Sequence, residues 1–374
     1  MLVEDNQLFT TDEYLTASPL SSTCEPVSSY QALLGMPVNE IGLNGNVRNV
    51  VDIKGGMSGG RVVKIDTDEG TIVVKHNPES PGKIAREIQG YVILASSPLA
   101  NRLPVPIYSS AGSALHVLPY FDGIQMREGI KSGLLSDQMV MRVGDELLDA
   151  KKSWWSRQEK HLLNGDYNSM QRQEWGDTAV KLGELMNSLS VQYGATVEEL
   201  LFLPVVINGK DYLPLSNTIE TAKSVIESDP PYTVIAHGDL TGANIIVNPI
   251  DGDWKIVDAE WTGNTDPAEA YVRMIKQIST TTVKKLGSPS LKSEDGKLII
   301  DVDPVYSDLC QVFQSQGLLR AIEFGSALND EMFSDRVVAY LVGSYLREAA
   351  LSLKRGGPEM GILALSQACQ VVKK

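Results

Sequence analysis

The sequence predicts an α+β chain, β-rich over its first third and mainly helical afterwards. Three observations carry that prediction. Short apolar runs separated by Gly, Asp and Asn turns fill residues 46 to 121, the pattern of antiparallel strands. From Ser136 onwards apolar residues recur at helical spacing through long segments. Between those helices, Tyr232 to Val257 returns to short strands and brings His237, Asp239, Asn244, Asp258 and Glu260 into one short stretch.

Size and composition bound the rest. A chain of 374 residues is long enough for two lobes with a substantial core. Its 43% hydrophobic and 21% charged content is that of an ordinary globular protein. A net charge of −14 argues against non-specific nucleic-acid binding, which rests on Lys and Arg. The same charge leans only weakly towards a cationic small ligand, since acidic chains are common. Cys24, Cys310 and Cys369 are far apart and lack any metal-ligand spacing, as expected of thiols in a reducing cytosol. No apolar run approaches the roughly 18 residues of a membrane span. Met1 to Asp5 shows neither the basic start nor the apolar block of a signal peptide. A cytoplasmic protein without membrane partners is expected.

In chain order, residues 1–40 read as an extension, rich in Ser, Thr and Pro. It holds two short helical candidates, Thr11 to Thr16 and Val27 to Leu34, and no chemistry. Strands follow at Val47 to Ile53, Val62 to Asp66 and Thr71 to Lys75, the last two joined by a turn at Asp68 to Gly70. Between the first two strands lies a loop containing Gly55, Gly56, Ser58, Gly59 and Gly60. Glycines let backbone N–H groups approach phosphate oxygens; a flexible hairpin turn is the alternative. A P-loop is rejected, because Arg61 and Val62 stand where Lys and Ser or Thr are required and a strand follows.

Ser80 and Pro81 open a helix reaching Leu94, with Ile84, Ile88, Tyr91 and Val92 as its apolar stripe. Glu87 lies beside that stripe, within reach of Lys75. Leu103 to Tyr108 and Ala114 to Phe121 read as two further strands, and Asp122-Gly123 as the crossing between lobes. His116, in a strand, reads as structural. Helices follow at Ser136 to Leu163 and Gln171 to Tyr193, with Trp154, Trp155, Trp175 and Val180 among their core residues. Asn208-Gly209 marks a tight hairpin, and Thr218 to Ser228 is another helix. Ile245 to Val247 and Trp254 to Val257 form a hairpin with Asn244 before it and Asp258 after it. Two carboxylates and an amide oxygen are therefore expected at one rim, a set of hard oxygen donors suited to Mg²⁺. The last third is helical, at Ala268 to Lys284, Val305 to Phe324, Met332 to Lys354 and Met360 to Val372. A strand insertion at Lys297 to Val302 interrupts it. No repeat or low-complexity tract appears.

The stretch His237-Gly238-Asp239-Leu240, then Asn244-Ile245 and Val247, then Asp258 with Glu260 and Trp261, then Asp266-Pro267, resembles the aminoglycoside phosphotransferase and choline kinase-like family. Type and spacing agree over about thirty residues, and the Asp258-x-Glu260 continuation makes the match specific. The resemblance implies a bilobal protein-kinase-like fold. An antiparallel-sheet N-lobe would span 41–121 and a helical C-lobe 122–374. It implies transfer of the γ-phosphate of ATP or GTP to a hydroxyl of a small molecule, such as an antibiotic, amino alcohol or sugar. Asp239 would take the acceptor proton, and Asn244 and Asp258 would hold Mg²⁺. Lys75, fixed by Glu87, would meet the phosphates under Gly56, Ser58, Gly59 and Gly60. Backbone groups of roughly Leu118 to Phe121 would meet the base; Pro119 has no N–H, so the donor would be Tyr120 or Phe121. Thr241, Ala243 and Ala270 depart from the family's pattern, and Ala270 puts the local bracing of the C-lobe in question. A protein kinase is disfavoured, since nothing after Asp258 resembles its activation segment. A silent nucleotide-binding regulator is disfavoured because every catalytic position is filled. The acceptor and the oligomeric state are not readable.

Overall fold

The computed structural model describes residues 46–53, 60–159, 169–280, 283–286, 289–306, 320–355 and 357–372, and the backbone of 15–16 and 25–26. Among them the chain forms two compact units, 1–123 with 255–262, and 124–254 with 263–374.

The first unit is built on an antiparallel sheet. Asn46–Ile53, Arg61–Thr67 and Gly70–His76 pair in sequence order, and Leu115–Pro119 and Tyr108–Ser110 complete the far side. Side chains of a strand alternate between faces. One face buries Val47, Val63, Ile65, Ile72, Val74, Leu115 and Val117, each burial stabilising by roughly 1.5–3 kcal/mol. Lys75, one residue beyond Val74, therefore belongs to the opposite face.

Several expectations change here. Leu15–Thr16, assigned to a helix on sequence, is a strand paired with Ile53 and Asp52. The strand expected from Leu103 contracts to Tyr108–Ser110, because Pro104 and Pro106 have no N–H for a ladder. Ser80 precedes the helix Pro81–Leu94 but its side chain makes no cap. Asn77 Oδ1 accepts the Ser80 N–H instead, at 3.0 Å. Val92 is 69% exposed; the buried face is Ile84, Glu87, Gly90, Tyr91 and Leu94. Glu87 thus lies within the buried stripe rather than beside it. The glycine-loop residues Gly56, Ser58 and Gly59 lie outside the described residues.

Lys255–Thr262 groups with this unit, although the sequence reading ran 122–374 together. Gly90 shows why: a Cβ there would fall 2.0 Å from the Ala259 carbonyl oxygen, so only glycine admits the strand's exit so close to the helix. Lys255 Nζ also donates to the Asn101 carbonyl at 2.9 Å.

The second unit is mainly helical. Phe333–Arg355 packs against Met170–Tyr193, Leu215–Ile226, Pro267–Thr280 and Pro358–Val371. Trp155, Tyr271, Phe324 and Phe333 gather at ring separations of 5.0 to 6.1 Å. Val180, placed in the core on sequence, is 65% exposed. Short helices at Met126–Ser132 and Val197–Phe202 were not read, being too short to repeat a period. Ile245–Val247 pairs antiparallel with Ile124–Gln125 and turns through Asn248, whose N–H reaches the Asp253 carbonyl at 2.8 Å. Val234–Ala236 pairs with Gly263–Thr265, a strand not anticipated.

The Asn-Gly hairpin forms as expected, with Asn208 at φ 48° and Gly209 at φ 77°, both left-handed as a type I′ turn requires. The inserted strand Lys297–Asp301 joins it, parallel to Val205–Ile207 and antiparallel to Ser290–Glu294. Of the helix expected from Val305 to Phe324, Pro304–Tyr306 is instead a strand paired with Val283–Leu286. Its Pro304 start suits an edge strand. Residues 320–328 are helical, and 307–319 lie outside the described residues. Among the described residues no helix is long and apolar enough to cross a membrane.

Candidate active site

In the first unit the sheet and its helix bring Lys75, Glu87 and Asp258 together. Lys75 Nζ lies 2.6 Å from Glu87 Oε1 and 3.5 Å from Asp258 Oδ1. Glu87 is 4% exposed. Burial works against the Lys75 charge, but Glu87 and then Asp258 outweigh it and raise the pKa, so the ammonium is held. Glu87 feels burial most strongly, which raises its pKa against the pull of Lys75. Such a pair is stable only intact, because removing one partner leaves a buried charge uncompensated.

Asp258 stands at φ 67°, a left-handed conformation that L side chains adopt at a cost of about 1–2 kcal/mol. Its carboxylate remains 42% exposed. The strained backbone aims an accessible acid at the half-buried lysine, the sort of strain that persists at functional positions. Next to it, Glu260 Oε1 accepts from Trp261 Nε1 at 3.1 Å. His116 is fully buried, its Nδ1 2.7 Å from Ser109 Oγ, and burial lowers its pKa to about 4.

Of the two expected base-binding donors, Tyr120 and Phe121, the sheet register bears on the first. Leu118 lies in the sheet opposite Val73. The Tyr120 N–H is already spent on the Thr71 carbonyl at 3.0 Å, so it has no free donor for a ligand. Phe121 supplies the next N–H along the chain. Register, which a sequence does not display, decides this. Gly60 packs on Asn77, whose Cβ lies 3.1 Å from where a Gly60 Cβ would be.

In the second unit the loop after Val234–Ala236 positions Asp239 and Asn244. Gly238 takes φ 76° at the turn, and His237 is buried, 3% exposed, consistent with a brace for the loop. The Thr241 N–H returns to the Asp239 carbonyl and the Asn244 N–H to the Thr241 carbonyl, both at 2.9 Å. Asn244 Nδ2 donates to the Asp239 carbonyl at 2.8 Å and to Asp239 Oδ2 at 3.2 Å. With its amide hydrogens committed to Asp239, the Asn244 side chain, 8% exposed, keeps Oδ1 as its acceptor.

Two residues that the sequence reading missed complete this set. Arg273, on Pro267–Thr280, donates from Nη1 to Asp239 Oδ1 at 3.2 Å and from Nη2 to Glu269 Oε1 at 3.0 Å. Glu269 is fully buried, and its Oε1 also accepts the Gln171 N–H at 3.0 Å. Burial would lower the Arg273 pKa, but Glu269 and then Asp239 raise it. The i, i+4 spacing of Glu269 and Arg273 was the available signal. The bracing put in question by Ala270 is supplied one residue earlier, by Glu269. The structure therefore joins Lys75, Glu87 and Asp258 in one unit, and Asp239 and Asn244 in the other.

For Mg²⁺ the donor chemistry fits. Taken each within its own unit, the Asn244 amide oxygen and the accessible Asp258 carboxylate are hard donors, and Mg²⁺ takes one or two such groups with substrate phosphates completing its shell. Among the described residues no three His, Cys, Asp or Glu side chains gather as an all-protein metal cage.

No protein-family model matches the sequence, and no curated protein matches it significantly. Solved structures do. A thermostable mutant of aminoglycoside phosphotransferase APH(4)-Ia, in ternary complex with AMP-PNP and hygromycin B, is similar at TM-score 0.50 and 13% identity, covering 92% of this chain and 97% of that one. A second mutant of the same enzyme, with ADP and hygromycin B, gives the same TM-score of 0.50, 13% identity and coverages of 92% and 97%. Choline kinase LicA from Streptococcus pneumoniae matches at TM-score 0.48 and 12% identity, over 92% of this chain and 99% of that one. At such identities the likeness is one of fold. The chain has the α+β, protein-kinase-like fold of the APH(4)-Ia phosphotransferase, the fold that the loop motif's resemblance implied.

Proposed function

We propose that this chain is a small-molecule kinase of the aminoglycoside phosphotransferase and choline kinase-like type. It would move the γ-phosphate of ATP or GTP to a hydroxyl group. The observation that carries the reading is the Asp239–Asn244 loop, in which the hydrogens of one amide hold a carboxylate and its backbone. A positioned carboxylate and a hard oxygen donor are what hydroxyl activation and metal-phosphate binding ask of a protein. Nucleotide and hygromycin B in the APH(4)-Ia complexes support the same class of partners here.

Phosphoryl transfer demands positioning and charge stabilisation more than covalent work. Asp239 accepts the hydrogen bond of the acceptor hydroxyl and takes its proton as oxygen attacks phosphorus. Lys75, kept charged and in place by Glu87, binds the phosphate oxygens. Asn244 and Asp258 would be the groups that hold Mg²⁺, which when bound would neutralise phosphate charge. Gly56, Ser58, Gly59 and Gly60 cover the phosphates, and the backbone beyond Leu118, at Phe121, meets the base. The protein works in the cytoplasm, without nucleic-acid or membrane partners.

The test is a screen of hydroxylated amines, sugars and antibiotics with ATP and GTP, repeated on Asp239→Asn. Positioned acid–base groups contribute roughly 10²–10⁴-fold. Turnover should therefore fall at least about 100-fold while nucleotide still binds. A variant keeping more than about a tenth of the wild-type kcat removes Asp239 from the role.

A further inference from the structure

We infer that Arg273 is a positioning residue for the phosphotransfer, setting the carboxylate of Asp239 from a helix that follows the loop by three strands. The inference rests on Asp239 being the proton acceptor proposed above.

Both oxygens of that carboxylate are held, and by different elements. Oδ2 receives Asn244 Nδ2 at 3.2 Å, from within the loop. Oδ1 receives Arg273 Nη1 at 3.2 Å, from Pro267–Thr280. A single bond from the loop would leave the carboxyl free to swing about its last torsion; the second, from outside the loop, fixes its plane. Arg273 is suited to hold it because it is itself held. It is 9% exposed, its Nη2 is bonded to fully buried Glu269 at 3.0 Å, and its Nη1 also touches Met170 Sδ at 2.8 Å. Glu269 is anchored in turn by the Gln171 N–H at the start of Met170–Tyr193. A guanidinium is planar and presents a fixed fork of donors, so one fork reading two carboxylates fixes their relative placement in a way an ammonium would not. Asp239 stays 24% exposed on its side chain, so the held carboxylate still reaches solvent and an acceptor.

The role is transmitted through Asp239 rather than through substrate, which sets the test. Arg273→Gln, Arg273→Lys and the double variant Glu269→Gln/Arg273→Gln are compared with wild type using MgATP and MgGTP with water as acceptor. The double variant removes both buried charges together, so it folds where the single one fails to. We expect kcat to fall between about 10- and 100-fold, as small misplacements of a reacting group do. The nucleotide KM should stay within about two-fold, and Arg273→Lys should recover part of the loss. Added to Asp239→Asn, Arg273→Gln should cause no further loss. A crystal structure of the double variant should show the Asp239 carboxylate rotated about its last torsion. A carboxylate unmoved in that structure overturns the inference whatever the rates, as does an undiminished kcat or a full additional loss on the Asp239→Asn background. Should Asp239→Asn itself retain turnover, the reading of the loop fails, a result distinct from an inert Arg273.

Discussion

Lys75 and Lys151 both carry an amine into the protein interior, and what faces each amine differs. Lys75 meets Glu87 at 2.6 Å and Asp258 at 3.5 Å. Lys151, 3% exposed in the helix Asp137–Trp155, meets the Ala270 carbonyl at 3.2 Å and the Trp155 ring at 5.3 Å. Among the described residues no carboxylate pairs with it. Carboxylates raise the pKa of Lys75 in spite of burial, whereas burial alone lowers that of Lys151 to about 7. Burial therefore does not mark a working lysine. A fixed, paired charge is available to a phosphate at every physiological pH; an unpaired one is surrendered to desolvation. Charge pairing separates a lysine whose charge is held from one that fills a core and tethers a carbonyl.

The largest effect should come from removing the two amines in turn. Lys75→Met is expected to lower kcat/KM at least about 100-fold, the scale on which a lost electrostatic stabiliser acts. Lys151→Met should leave it within about two-fold. Steady-state kinetics with any acceptor from the screen decides this, and equal losses would break the contrast.

Next in size is a stability effect confined to Lys151. The folded state holds its pKa at about 7 against an ordinary 10.5, so the unfolded chain binds more protons between those values. Stability should then rise with pH across that window, at up to about 1.4 kcal/mol per unit. The burial penalty is fully present below pH 7 and gone above about pH 10.5. Lys151→Met should accordingly stabilise the fold most at pH 6 and by little at pH 10, as read from urea unfolding. A gain that does not change with pH would mean the amine is neutral in neither range.

The smallest effect concerns the pair itself. Contacting residues show coupling of roughly 0.5–3 kcal/mol. In a cycle on kcat/KM, Lys75→Ala with Glu87→Ala should thus cost clearly less than the sum of the single changes. Additive losses would mean that Glu87 does not hold the lysine.

What the sequence displayed, and what it hid, follows a physical line. Alternation at Val63, Ile65, Ile72 and Val74 gave away the first unit's sheet, because period two is printed in the residues themselves. The pair Lys75–Glu87 was legible since a strand end and the next helix leave few partners, and Asn208-Gly209 because few residues accept left-handed backbone. The closeness of Asp239 and Asn244 was legible by spacing, since both lie on one short loop. Arg273 was not, because its bond to Asp239 spans 34 residues and depends on how a later helix packs. The spent N–H of Tyr120 depends on strand register, and the exposure of Val92 and Val180 on which side of each helix is covered. The strand at Pro304–Tyr306 depends on a partner, Val283–Leu286, that a local pattern cannot announce.

The most direct test of the account is calorimetric binding of ATP and GTP, with and without Mg²⁺, to wild type, Lys75→Met, Lys151→Met and Asp258→Ala. The account predicts that Lys75→Met weakens binding in both conditions and that Lys151→Met binds as wild type. Asp258→Ala should lose affinity mainly when Mg²⁺ is present, as a metal ligand would. Unchanged binding by Lys75→Met, or equal losses by Asp258→Ala with and without the metal, would contradict it.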